Sequence, residues 1–375
     1  MVFQGRRSRL TLLLAAVVLV VRAAAEAPEK PEAAQGRGQA GTLVGMPLSP
    51  FKGMTRPEQA FDMMEAGGAN FIEVRKHWAE LERSPGKVSF AIDPFPLLEK
   101  ARKSHPALFK GAVVNLQVCD TAIRTMPGDL SKKGFDDTAV IDRFKGVIEG
   151  LAEYHKSFPV AYVIVGHEAD IYLTNHSNEV KAFETFFKAA VDQIHRLMPG
   201  VGVGTSMTFD RVKGNKSLFE TLNQYSDLAV YTYYPIGNSW QMRPVDEVKD
   251  DLELLASRAG RKPFAMLEIG YSANDVNGGS DEKQTRFVET AMRTLDPYRL
   301  SGQLKFLEYW MMFDFPPDLS AQVAKAQGSS DKKMVAYLSS LGLRRYDAGG
   351  AKRSAWDVFS SYAKAWTTGQ PLPKS

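Results

Sequence analysis

Cysteine is all but absent from this chain. Cys119 is the one such residue among 375, so no internal disulfide can form. It also lies too far from the N-terminal apolar segment to be a lipid-attachment cysteine, and at the end of an apolar run it reads as a small filler, not a nucleophile. Spaced-glycine fingerprints for dinucleotides or phosphates are missing too: "GVGVG", residues 200–204, lies inside an apolar run instead of opening a helix. No internal repeat stands out. The longest apolar run, "LTLLLAAVVLVV", is about a dozen residues, short of the roughly 20 that a spanning helix needs.

That run follows Arg6, Arg7 and Arg9 and precedes "RAAAEA". Basic residues, an apolar stretch and then small residues at a cleavage spacing predict a secretory signal peptide over residues 1–25, cut after Ala25. A retained anchor is the alternative. "EAPEKPEAAQGRGQAG", residues 26–41, reads as a flexible linker. The expected location is therefore secreted or periplasmic, with no stable membrane insertion. The first 25 residues hold four arginines and no acid. Without them, 43 basic residues face 43 acidic ones, leaving no electrostatic footprint for nucleic acid. With 44% hydrophobic and 24% charged residues, the remainder has the composition of a folded globular chain, and a monomer is expected.

From residue 42 to 375 short apolar runs alternate with segments of helical periodicity. The predicted strands are "TLVGMPL", "ANFIEVR", "LFKGAVVNLQV", "VAYVIVG", "GVGVGTSM", "DLAVYTYY", "PFAMLEIG" and "LKFLEYWMMF". Eight strand–helix units predict an α/β fold, a (β/α)8 TIM barrel forming one domain, with an open doubly wound sheet as the runner-up. In such a barrel the chemistry lies at the C-terminal strand ends. Read with period two, Tyr162, Ile164, Gly166 and Glu168 share a facing on the fourth strand, as do Phe264, Met266 and Glu268 on the seventh. Either glutamate alone is easily a surface residue or half of an ion pair. Together they are the carboxylate pair that glycoside hydrolysis needs.

Three further segments carry a resemblance. "RKHWAELERSPGKVSFAIDPFPLLEKAR", "YTYYP" and "LGLRRYDAGGAKRSAWDVFSSY" are similar, in order and spacing, to the second-strand, sixth-strand and last-helix segments of the clan A glycoside hydrolases. The likeness runs from residue 42 to about 365. It implies a retaining two-glutamate glycosidase with Glu168 as acid/base and Glu268 as nucleophile. It further implies that Arg75 hydrogen-bonds the nucleophile, favouring its ionised form, and that Tyr234 lies near the same carboxylate, with Tyr233 as the fallback if the register slips by one. Trp310 would form a floor under the sugar; its alternative is a core aromatic. Trp78 and Trp240 are weaker sugar platforms, each readable as loop packing. His167 stands where most of the clan has asparagine, although the clan's family 26 mannanases carry histidine there. The mechanism requires no metal or organic cofactor, and His167, Asp170 and His176 match no zinc signature. The partner implied is a poly- or oligosaccharide. The competing expectation is a secreted carbohydrate-binding barrel that has lost catalysis.

Overall fold

The computed structural model describes residues 42–237, 239–326 and 331–373; the expected signal peptide and linker lie outside them. Ten strands occur in the order β1 (Leu43–Gly45), β2 (Phe71–His77), β3 (Gly111–Asp120), β4 (Ile123–Arg124), β5 (Val160–His167), β6 (Gly202–Gly204), β7 (Ser206–Thr208), β8 (Ala229–Tyr233), β9 (Phe264–Ile269) and β10 (Leu304–Tyr309). β4 is a short antiparallel hairpin arm on β3. The rest form two parallel ladders, β2-β3-β5-β6 and β7-β8-β9-β10-β1. β6 and β7 are one chain segment interrupted at Thr205, so the two ladders are halves of a single eight-membered ring.

The ring lacks a ladder between β1 and β2. Asn70 bridges that seam: its side-chain oxygen accepts from Val44 N–H at 2.7 Å, and its own N–H donates to Val44 C=O at 2.9 Å. Each barrel strand is followed by an outer helix, among them Thr138–His155, Val180–Leu197, Val248–Ala259, Asp281–Leu300 and Ser354–Thr368. No helix of the described residues is long and apolar enough to cross a membrane. The architecture is thus the expected (β/α)8 fold, with its seam open.

Two apolar layers form because strand side chains alternate between faces. The larger lies between strands and helices. The smaller fills the barrel with Leu43, Phe71, Val113, Ile164, Leu228, Val230, Ala265, Leu267 and Phe306. Gly202 and Gly204 of "GVGVG" belong to this packing: a Cβ on Gly202 would meet the Tyr162 ring at 2.8 Å, and one on Gly204 would meet Val230 at 2.7 Å. Trp78 is fully buried; its indole N–H donates to Glu82 at 2.7 Å and its ring packs on Phe144. Of the two readings of Trp78, packing is the one realised: the ring is buried against Phe144 of the 138–155 helix and offers no face to a sugar.

Candidate active site

Above the apolar filling, the inward side chains become polar. On β5, Gly166 has φ +85° and Glu168 φ +46°. A side chain at Gly166 would be strained there and would press on Cys119 Sγ at 3.3 Å. These two left-handed residues break the alternation, so the consecutive His167 and Glu168 both serve the same group of side chains. The Glu168 N–H is held by Ser206 Oγ at 2.9 Å, which ties the unusual conformation to the next strand.

Glu268 arrives by a different route. Ala265 and Leu267 point into the barrel and Phe264 and Met266 point outward, the reverse of the period-two expectation for that strand. A bulge corrects the phase: Tyr231 pairs with Met266, but the next residue, Thr232, pairs with Glu268, leaving Leu267 extra. Glu268 is 3% exposed. Its Oε1 accepts from Arg75 Nη1, and its Oε2 accepts from Tyr234 Oη at 2.6 Å. Tyr233, the fallback, turns outward and donates to Asp251 at 3.0 Å. His167 Nε2 stands 3.5 Å from Glu268 Oε1. The amide nitrogen of Asn115, which has only hydrogens to offer, faces His167 Nδ1 at 3.4 Å, placing the imidazole proton on Nε2 toward Glu268.

Glu168 is held differently. It is half-buried, and its oxygens accept from Thr232 Oγ1 at 2.7 Å and from Thr121 Oγ1 at 3.4 Å. Among the described residues no guanidinium donates to it. Burial pushes its pKa up, the negative charge of Glu268 adds to that, and His167 and the Thr232 hydroxyl act in the opposite sense. The carboxyl that leans toward protonation thus sits beside one gripped by arginine and tyrosine.

A line of aromatic rings flanks Glu268. Trp240 packs on Tyr337 at 5.5 Å, Tyr337 on Tyr234 at 6.3 Å, and Tyr234 edge-on against Trp310 at 5.9 Å. Trp310 is half-buried and meets Phe315 on another side.

The structure does not gather His167, Asp170 and His176 into a cluster. Asp170 accepts from the Thr208 hydroxyl at 2.6 Å and from its N–H at 3.1 Å, with burial pushing its pKa up to about 7. His176 stacks on Tyr172. Among the described residues, the group of potential ligands that does come together is His167, Glu168 and Glu268, with one ligand atom from each lying within 4.8 Å of the others. Both Glu268 oxygens already accept hydrogen bonds from Arg75 and Tyr234, a poor setting for a cation.

Several residues of this cluster were not anticipated. Glu73 receives Arg75 Nε at 2.6 Å, and Asn115 donates to Glu73 at 3.3 Å. Glu308 is fully buried with an oxygen 3.7 Å from Arg75 Nη2. His77 and Asp120 pair at 3.2 Å. The period-two test finds Glu73 in "FIEVR" and Glu308 in "FLEYW", since each lies two residues before an inward-facing side chain, Arg75 and Trp310.

No protein-family model matches the chain, and no curated protein sequence does. Solved structures do. An exo-β-1,4-mannosidase from Opitutaceae bacterium strain TAV5 superposes with TM-score 0.61 at 15% identity, over 88% of this chain and 60% of that one. A GH5_18 protein from Streptomyces cattleya, solved with GlcNAc, gives TM-score 0.63 at 14% identity over 90% of this chain and 83% of that one. A β-glucuronidase from Bacteroides uniformis gives TM-score 0.58 at 13% identity, over 89% of this chain and 36% of its own. The chain thus spans less than two thirds of the mannosidase and about a third of the glucuronidase. At such identities the likeness is one of fold alone, the (β/α)8 barrel.

Proposed function

We propose that this chain is a retaining glycoside hydrolase acting on an oligo- or polysaccharide, with Glu268 as nucleophile and Glu168 as acid/base. The observation that carries the reading is the carboxylate pair itself. One oxygen from each approaches within 4.8 Å of the other, an approach in keeping with the roughly 5–5.5 Å spacing of the carboxyl groups in retaining enzymes. The two environments differ in the sense the chemistry needs.

In the first step a Glu268 oxygen forms an ester to the anomeric carbon as the glycosidic C–O bond breaks, and Glu168 gives its proton to the departing oxygen. In the second, Glu168 takes a proton from water, whose oxygen attacks the anomeric carbon and releases Glu268. Arg75 and Tyr234 hold the nucleophile, and Trp310 offers an aromatic face to the sugar. His167, with its proton on Nε2, can donate where asparagine's amide serves in most of the clan. β-Mannosides are the first substrates to try, because the fold is shared with a β-1,4-mannosidase and with a GH5_18 variant solved with Manβ1-4GlcNAc. The basic and then apolar N-terminal segment supports a location outside the cytoplasm, and the protein is read as a monomer.

A panel of β-linked oligosaccharides and aryl glycosides, followed by NMR for the anomer first released, tests the proposal. Release with retained configuration, abolished in Glu268→Ala, is expected. Sugar binding without release would instead favour a barrel that has lost catalysis.

A further inference from the structure

Beneath the paired glutamates lies a second carboxyl cluster to which the mechanism above gives no task. The Arg75 guanidinium is surrounded by three carboxyls: Nε donates to Glu73, Nη1 to Glu268, and Nη2 points at Glu308 from 3.7 Å. Were all three ionised, one positive charge would face three negative ones directly above the apolar filling of Phe71, Phe306, Leu267 and Val113. Uncompensated charge in such a place is relieved by taking up a proton. The geometry identifies the carboxyl that takes it. Glu268 accepts from Arg75 and Tyr234, and Glu73 accepts from Arg75 and Asn115. Glu308 is fully buried, and among the described residues neither of its oxygens accepts a hydrogen bond. Its β1 neighbours, Leu43, Val44 and Gly45, bring no charge. The charges that act on it most are those of Glu73 and Arg75 from β2 and of Glu268 from β9.

We propose that Glu308 is a positioning residue, carried as the neutral acid, whose hydroxyl donates to Glu73 and so leaves Arg75 free to hold Glu268. Two carboxyls can share a hydrogen bond only if one of them keeps a proton, and Glu73 and Glu308 are brought together on the one Arg75 guanidinium, 2.6 Å from Nε and 3.7 Å from Nη2. Burial drives the Glu308 pKa far up, the charge of Glu73 adds to it, and Arg75 opposes it only in part. An ionised Glu308 would compete with Glu268 for the guanidinium; a neutral one braces Glu73 instead. The effect on turnover rests on the glycosidase reading, whereas the proton on Glu308 does not.

The test compares wild type with Glu308→Gln, which mimics the neutral acid, and Glu308→Leu, which cannot donate. Infrared spectra at neutral pH should lose one protonated-carboxyl carbonyl band in Glu308→Gln. Because a buried acid of raised pKa takes up a proton on folding, wild-type stability falls as pH rises above the ordinary glutamate value of about 4.3. Glu308→Gln has no such proton to bind, so its melting temperature should exceed that of wild type by a margin that widens with pH. On the best glycoside found, Glu308→Gln should keep kcat within about threefold of wild type, while Glu308→Leu should lose about tenfold or more with little change in KM. An unchanged carbonyl band, a melting margin flat with pH, or a Gln variant as slow as the Leu variant would each overturn the proposal. If no variant, wild type included, cleaves any glycoside, the glycosidase reading fails while the infrared and melting data still decide the state of Glu308.

Discussion

Removing one oxygen atom, in Tyr234→Phe, tests the nucleophile's surroundings most sharply. The Tyr234 hydroxyl donates to Glu268 Oε2 at 2.6 Å, while Arg75 holds the other oxygen. The substitution keeps the ring, so the packing on Trp310 and Tyr337 survives. What goes is one of the two anchors that fix the plane of the carboxylate. A hydrogen bond to a charged group contributes about 1.5–3 kcal/mol. If that is expressed in the attacking step, kcat/KM should fall by about 10- to 150-fold, since about 1.36 kcal/mol is tenfold in rate. Arg75 still holds Oε1, so the lower half of that range is expected. The assay is steady-state hydrolysis of an activated aryl glycoside, with thermal melting alongside to confirm the fold. Tyr233→Phe is the matched control: its hydroxyl meets the Asp251 carboxylate on the outer face, so it should cost about 1.5–3 kcal/mol of stability and leave the rate alone. A Tyr234→Phe enzyme within twofold of wild type, or a Tyr233→Phe enzyme that is the slower of the two, would refute the assignment of β8.

Thr232→Val removes the hydroxyl that donates to Glu168 at 2.7 Å and lowers its pKa. A general acid works only while protonated, so raising its pKa should move the basic limb of the kcat/KM profile to higher pH, as a pH–rate series would record; a limb that moves down would contradict the acid role. Glu168→Ala should stall on natural glycosides but still react through the first step with aryl glycosides, and added azide should restore turnover by attacking the ester, with the glycosyl azide identified by mass spectrometry. Trp78→Ala empties a fully buried site and should cost about 3–5 kcal/mol in denaturant unfolding, with sugar affinity per folded molecule unchanged.

Much of the architecture was legible in the residues, because a strand buried on both faces needs a continuous apolar run and an outer helix needs one apolar stripe. The eight runs from "TLVGMPL" to "LKFLEYWMMF" fall on the eight members of the ring, and the glutamates that end "VIVGHE" and "FAMLE" stand at strand ends. The order of the segments, and the polar residues that interrupt each run, are properties of the chain alone.

Which side chains meet was decided by the tertiary structure. Strict alternation would have turned Glu268 outward along with Phe264 and Met266; the bulge at Leu267 brings it in, and a bulge follows from pairing with β8, not from the composition of β9. The left-handed Gly166 and Glu168 let two consecutive side chains serve one cluster, a conformation held by a hydroxyl from residue 206. Tyr234 was separated from Tyr233 by a register that only ladder pairing sets. Arg75 and Glu73 on β2 and Glu308 on β10 are more than two hundred residues apart in the chain yet meet inside the barrel, with β1 between their strands. Sequence records which residues can carry charge or donate a proton; their distances, and hence their protonation, depend on strand register and burial, which belong to the folded barrel as a whole.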